Sequence, residues 1–330
     1  MTFIFDQRWC GRHGIGRFAT ELRCRLRGFS DIDLNGNPLA LMDPILVARE
    51  LYRQRTELYL SPGFNVPIVA PCSVIITIHD MIHMRVHTEQ SWKKNAYYFL
   101  VQRRIVRHSP CVLTVSHYSK NEICEWYGIP ESRVAVVGNG VSSAFSPEGC
   151  KSVRSHGYFV SVVNAKKYKN LPFLLQAFAK VQHSVRCDLV IVAKPDALLL
   201  SLVEQLNLFN RVQFVHEISD EDLASIYRGA LCLIMPSRYE GFGLPVIEAM
   251  ASGCPVLCSN ATSLPEVAGD AAVFFDPEEI DELCDLMVEA AANRLNFAEM
   301  RARGLGRAAQ YSWDRVVERV EKVVAEVTIG

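Results

Sequence analysis

Long apolar runs are missing from this chain. No stretch among its 330 residues approaches the length of a membrane span, and Phe3-Ile4-Phe5, ahead of Asp6, is too short to be the core of a signal peptide. A cytosolic protein is therefore expected. A disulfide framework is missing too: the 11 cysteines are an odd number, scattered singly. The nearest pair, Cys254 and Cys258, flanks Pro255-Val256-Leu257 in a segment that reads as a buried strand, so reduced core thiols are expected, with neither disulfides nor a zinc site. Net charge is only −1, and there is no repeat at a solenoid period and no low-complexity tract. No nucleic-acid partner is expected. The small net charge hides an asymmetry, since residues 1–150 carry 17 Lys+Arg against 13 Asp+Glu and residues 151–330 carry 18 against 23. The amino-terminal half is the basic one.

With 49% hydrophobic residues, a chain of this length suits two domains. Phe3-Ile4-Phe5, Leu58-Tyr59-Leu60, Val74 to Ile78, Cys111 to Val115 and Val134 to Val137 read as strands of a first sheet, with helices beginning near Gly16, Ser91 and Ser116. A polar linker bearing Pro and Gly runs from Ser146 to Ser152. Tyr158 to Val163, Leu189 to Ala193, Val212 to Val215, Ala230 to Met235 and Pro255 to Cys258 then read as a second sheet. Short apolar runs that alternate with helical patterns predict an α/β protein of two doubly wound, Rossmann-like parallel sheets, with domains at 1–150 and 151–310 and a terminal segment at 311–330.

Two carboxylates, Glu240 and Glu248, lie eight apart across Gly241-Phe242-Gly243-Leu244-Pro245, directly after an apolar strand. Gly241 and Gly243 let backbone approach a ligand, and a helix opening near Leu244-Pro245 presents N–H groups and positive dipole to a phosphate. Carboxylates cannot favour an anion by charge, so they are read as acceptors for neutral hydroxyls. Phosphate plus hydroxyls describes a sugar nucleotide.

The flanks Pro236-Ser237-Arg238-Tyr239, Glu248-Ala249-Met250-Ala251-Ser252-Gly253-Cys254-Pro255-Val256, Leu264-Pro265-Glu266-Val267 and Gly269-Asp270-Ala271-Ala272 complete a pattern that resembles the retaining glycosyltransferases of family four, which have the GT-B architecture. The resemblance implies two Rossmann-like domains facing across a cleft, and a terminal helix, here after Tyr311-Ser312-Trp313-Asp314, that crosses back to brace the first. It implies that Glu240 contacts the transferred sugar, that the backbone of Phe242, Gly243 and Leu244 cradles sugar and pyrophosphate, and that Glu248 holds the ribose hydroxyls. It also implies retention by same-face attack, with the leaving phosphate taking the acceptor's proton. No metal or other cofactor is expected.

Three further segments bear on the cleft. Gly11-Arg12-His13-Gly14-Ile15-Gly16-Arg17 opens the first helix, and Gly14, Gly16 and Arg17 are candidate donor-binding residues; the loop lacks the third glycine of a dinucleotide fingerprint, which disfavours a nicotinamide dehydrogenase. His79, in Thr77-Ile78-His79-Asp80 at a strand's carboxyl end, is a polar turn residue in the bland reading; the resemblance places it beside the donor sugar as a catalytic candidate. His83 and His87 follow, but with no carboxylate or thiolate cluster a metal triad is set aside. In Asn164-Ala165-Lys166-Lys167-Tyr168-Lys169-Asn170-Leu171 the family lysine for the pyrophosphate is matched by Lys169, while Asn164 stands where the family has an arginine. Lys166 or Lys167 is the candidate replacement, as a point charge rather than a bidentate fork.

The expected partners are a nucleotide-sugar donor and a saccharide or lipid-linked oligosaccharide acceptor. The set as a whole resembles mannosyltransferases of bacterial surface-polysaccharide (O-antigen, exopolysaccharide) synthesis, which favours a GDP-sugar. The basic, aromatic stretch from Gln90 to His108 suggests peripheral contact with an anionic membrane surface, at the cytosolic face of the inner membrane; its bland reading is a helix that packs Tyr98, Leu100, Val101 and Ile105 into the core. Two alternatives stay open: another GT-B enzyme such as a sugar-nucleotide epimerase, and a non-catalytic GT-B-shaped binding subunit, whose support is the missing arginine at Asn164.

Overall fold

The computed structural model describes residues 3–11, 14–86 and 96–329. The chain divides into two units, one of residues 1–140 with 312–330 and one of residues 141–311. The first unit is built on six parallel strands: β1 Phe3–Phe5, β2 Phe29–Asp31, β3 Leu58–Ser61, β4 Ser73–Thr77, β5 Cys111–Thr114 and β6 Val134–Val136, in the order β2-β1-β3-β4-β5-β6. The second has β7 Gly157–Val162, β8 Cys187–Val192, β9 Val212–Val215, β10 Cys232–Met235, β11 Val256–Ser259 and β12 Ala272–Phe275, ordered β12-β11-β10-β7-β8-β9 and also parallel throughout. The direction of strand addition reverses between β1 and β3 in the first sheet and between β7 and β10 in the second, and at each reversal a crevice opens outside the strands' carboxyl ends.

Continuous apolar runs become central strands because both faces are covered by helices. β5, β10 and β11 are buried along their whole length. Two strands escape the sequence pattern. β2 is the edge segment Phe29-Ser30-Asp31, only partly buried and with one apolar side chain, and β12 is a partly buried edge beside β11.

In the first unit Ile4, Tyr59, Val74, Ile76, Val112, Ile123, Tyr127 and Val134 form the centre of a packed core. The terminal helix Trp313–Ile329 adds to it: Trp313, Val316, Val320 and Val323 are buried, Trp313 lies 6.2 Å from the Phe18 ring, and Arg319 donates to the Val137 carbonyl at 3.0 Å. This is the expected return to the first domain. Of the basic stretch, residues 90–95 lie outside the described residues. In the remainder Tyr98, Ile105 and Val106 are buried, whereas Leu100, read as a core position, is 74% exposed, with Phe99 exposed next to it.

One buried polar cluster sits just beyond the carboxyl ends of β1 and β3. Arg8 forks onto Asp6 through Nε (2.8 Å) and Nη2 (2.7 Å) and reaches Asp43 through Nη1 (2.5 Å); all three side chains are almost wholly buried. Burial pushes the Asp6 carboxyl up, but Arg8, Tyr59 and Asn65 outweigh it and hold Asp6 below its usual range, while burial leaves Asp43 raised. Removing the shared cation leaves two uncompensated buried carboxylates. Arg8→Met is expected to lower stability by about 3–5 kcal/mol, read as a drop in the urea midpoint. An unchanged midpoint would show that the cluster does not hold the unit together.

Candidate active site

The second sheet's crevice is assembled from three loops. The first leaves β7 and turns at Lys167–Lys169, with the Lys169 N–H bonded to the Lys166 carbonyl at 2.9 Å and Asn170 in the left-handed region (φ 59°) ahead of the helix Leu171–Val181. Asn170 is itself held, by Nδ2 donating to the Pro277 carbonyl at 3.0 Å. The second loop leaves β10 and carries Glu240. The two are tied by the Arg238 N–H donating to the Tyr168 carbonyl at 2.8 Å, and by an ion pair in which Lys169 Nζ lies 2.6 and 2.8 Å from the two Glu240 carboxylate oxygens. Their side chains are 14% and 9% exposed. Two candidates chosen for separate roles are thus in direct contact.

The third loop follows β11 and was not singled out from the sequence. Thr262 Oγ1 accepts from the Glu240 N–H at 2.9 Å, and Ser263 Oγ donates to the Glu240 carbonyl at 2.9 Å, so the backbone of the glutamate is clamped on both sides. The available signal was position alone: a polar run, Ser259-Asn260-Ala261-Thr262-Ser263, at the carboxyl end of an apolar strand.

Gly243 then takes φ 97° and ψ 53°, and a Cβ there would meet Leu264 Cδ2 at 2.6 Å, so only glycine fits. The helix Leu244–Ala251 starts immediately after it, with Pro245 in its first turn and no side-chain cap on its amino end. Such an end offers backbone donors and positive dipole to an anion. Glu248 is buried within this helix, its Oε2 3.5 Å from the Tyr227 hydroxyl of the helix Asp220–Gly229. Phe242 is buried and packs edge-on against Tyr311 at 5.5 Å. Asn164 is exposed and accepts the Lys166 N–H at 3.3 Å, which makes it a turn former; Lys166 and Lys167 are exposed too.

The first-unit candidates gather at that unit's own crevice. The Gly11 N–H donates to the Gly16 carbonyl at 3.0 Å, and a Cβ on Gly16 would meet Gly11 Cα at 2.8 Å, so the loop closes tightly on itself as the helix Ile15–Arg25 begins. Gly14 is its exposed amino cap, and Arg17 is partly buried in its first turn. One residue on, Phe18 packs edge-on against His79 at 4.8 Å, bringing the glycine loop's helix and the histidine together. His79 Nε2 lies 2.9 Å from the Pro62 carbonyl, which can only accept, so Nε2 carries the proton and Nδ1 is bare in the neutral ring. Burial pushes its pKa down to about 4. His83 faces Phe64 and Tyr98, and His87 lies outside the described residues. Among the described residues no cluster of His, Cys, Asp or Glu could hold a metal ion, no cysteine is in a disulfide, and no helix is long and apolar enough to cross a membrane.

Comparison with known proteins adds a lineage to this geometry. Residues 152–310 match the model for glycosyl transferases group 1, and residues 58–145 that for glycosyltransferase family 4. The chain is 30% identical to the O-antigen chain mannosyltransferase B of Escherichia coli over 83% of its own length and 75% of that protein's. It is likewise 30% identical to an MMP α-(1→4)-mannosyltransferase of Mycolicibacterium hassiacum over 77% of this chain and 66% of that one. Among solved structures, HepE of Anabaena in complex with UDP-glucose superposes with a TM-score of 0.78 over 99% of this chain and all of that one at 14% identity. That likeness shows the two-domain GT-B fold.

A neutral His79 has a direct test. The folded state binds this proton less tightly than the unfolded chain, so stability is lost as pH falls from about 6.5 towards 4. NMR titration of the ring should show no midpoint between pH 5 and 8, and a midpoint near 6.5 would overturn its burial against Phe18 and Pro62.

Proposed function

Because the chain belongs to the glycosyltransferases of family four, we propose that it moves a hexose, mannose or a close relative, from a GDP-sugar to a saccharide or lipid-linked saccharide acceptor in cell-surface polysaccharide synthesis, with retention and without a metal. The observation that carries this reading is the Lys169–Glu240 pair at the second sheet's crevice, with an uncapped helix amino end and a buried Glu248 a few residues further along the chain. In this reading the pyrophosphate sits on the N–H groups near Leu244 and beside Lys169. Both stabilise charge that grows on the leaving phosphate as the glycosidic bond breaks, so they act more strongly on the transition state than on the bound donor. Glu240 accepts hydrogen bonds from hydroxyls of the transferred sugar and Glu248 from those of the ribose. Thr262 and Ser263 keep Glu240 in place, and in the first unit this reading assigns His79, Gly14, Gly16 and Arg17 to the donor. Both relatives named above are mannosyltransferases, which supports the choice of sugar.

Two outcomes test the site together. Glu240→Gln should cut turnover while nucleoside diphosphate still binds, and Glu248→Ala should weaken nucleotide binding, each by about 1.5–3 kcal/mol. Turnover should persist in EDTA. In a thermal-shift panel of GDP, UDP, dTDP and ADP, GDP should raise the melting temperature most. A larger shift with UDP would move the donor assignment, and unchanged kinetics in both variants would remove the site assignment.

We also propose that the acceptor is met at a membrane surface. Exposed Phe99 and Leu100, next to Arg103, Arg104 and Arg107, support contact with anionic lipid. The protein should float with vesicles containing phosphatidylglycerol and not with purely zwitterionic ones, and Leu100→Glu should abolish flotation. Equal behaviour of that variant would exclude this face.

A further inference from the structure

The loop from Ser61 to Val66 holds His79 through a single carbonyl, and the side chain that holds the loop is Asn65. It is 1% exposed and uses all four of its hydrogen-bonding positions. Nδ2 donates to Asp6 Oδ2 and to Asp43 Oδ2, both at 3.0 Å, while Oδ1 accepts from Trp9 Nε1 and Ser61 Oγ, both at 2.6 Å. The rest of the loop is tied as well. Gln102 Nε2 donates to the Phe64 carbonyl at 2.7 Å, the Val66 N–H donates to the Tyr97 hydroxyl at 3.1 Å, and Thr77 Oγ1 donates to the Ser61 carbonyl at 3.0 Å. Thr77 lies two residues before His79, and Phe18 packs edge-on with the ring. The histidine thus touches both a helix side chain and a loop carbonyl, and the position of that carbonyl is fixed from inside the protein.

We propose that Asn65 is a positioning residue for sugar transfer: by locking the Ser61–Val66 loop onto Asp6, Asp43 and Trp9, it sets the Pro62 carbonyl that holds His79 in its Nε2–H tautomer and in one ring orientation. The proposal rests on the reading of His79 as part of the transfer site. An amide suits this position where a carboxylate does not, because two of its neighbours are carboxylates needing donors and the other two are donors needing an acceptor. Asn65→Asp would supply neither N–H group.

The test uses the full chain labelled with ¹⁵N-histidine, the His79 ring signals being assigned by their loss in His79→Gln. Asn65→Ala should mix the two neutral tautomers of His79 and lower kcat roughly 10- to 100-fold with KM for the donor little changed. In the His79→Gln background the same substitution should add no further loss, since both act through one ring. Trp9→Phe removes the Nε1–H donated to Asn65 together with one ring of the indole, keeps an aromatic ring against Phe64, and should move the His79 signals in the same direction by less; it carries the test if Asn65→Ala does not fold. Unmoved His79 signals in the folded variants, or an equal loss from Asn65→Ala in both backgrounds, would overturn the role of Asn65 while leaving the functional reading standing. If the signals move but His79→Gln itself transfers sugar at the full rate, the reading of His79 fails and the positioning role falls with it.

Discussion

A parallel sheet with helical crossovers sends every strand-to-helix loop to the same edge, and nearly everything chemical in this protein follows from that constraint. Loops that are far apart in sequence have no choice but to meet. Lys169, Glu240 and Thr262 come from three separate crossovers of the second sheet, yet they form one hydrogen-bonded group. Asp6, Arg8, Asp43 and Asn65 do the same at the edge of the first sheet. The strand order decides where on the edge the gap falls, and in both sheets the polar cluster sits at the reversal.

The two clusters differ in what their charges accomplish. Arg8 is surrounded: its fork and its third nitrogen are all committed to carboxylates, and Tyr59 and Asn65 donate to Asp6 Oδ2 alongside Arg8 while Asn65 also takes the second oxygen of Asp43. A network satisfied in this way rigidifies its surroundings. Lys169 and Glu240 form a simpler pair, slightly more exposed, on loops clamped through their backbones by Arg238, Thr262 and Ser263. Desolvation makes a buried ion pair a poor source of net stability. Its value lies in holding a cation and a carboxylate at a fixed place, which is what a ligand with phosphates and hydroxyls requires.

Much of this was legible in the sequence, and most of the exceptions have physical causes. Central strands such as β5 and β10 announce themselves because burial on both faces demands unbroken apolar runs, and the glycines and proline after β10 mark a turn that enters a helix. The edge strand β2 was invisible because only one of its three side chains is apolar, whereas β12, a short apolar run that is only partly buried, is missing from the expected strands with no physical cause in its burial. Leu100 was misplaced because helical spacing says which residues share a face but not which face is covered. Glu240 and Lys169 could each be chosen by motif, whereas their contact, 71 residues apart in the chain, is a property of the topology. Asn65 carries no motif at all. Its significance comes from four partners, Asp6, Trp9, Asp43 and Ser61, all earlier in the chain, that only the folded sheet assembles.

The terminal helix gives the fold an order in time. The first unit is interrupted: the chain leaves it at Gly140, completes the second unit, and returns only at Ser312. On a ribosome the whole second sheet therefore emerges, and is free to close, while the first still lacks Trp313, Val316, Val320 and Val323. Until those residues emerge, the surface around Phe18 that receives Trp313 waits uncovered, on the same helix that begins with the glycine loop. The half made first is the half finished last, and the side of it that waits lies next to His79.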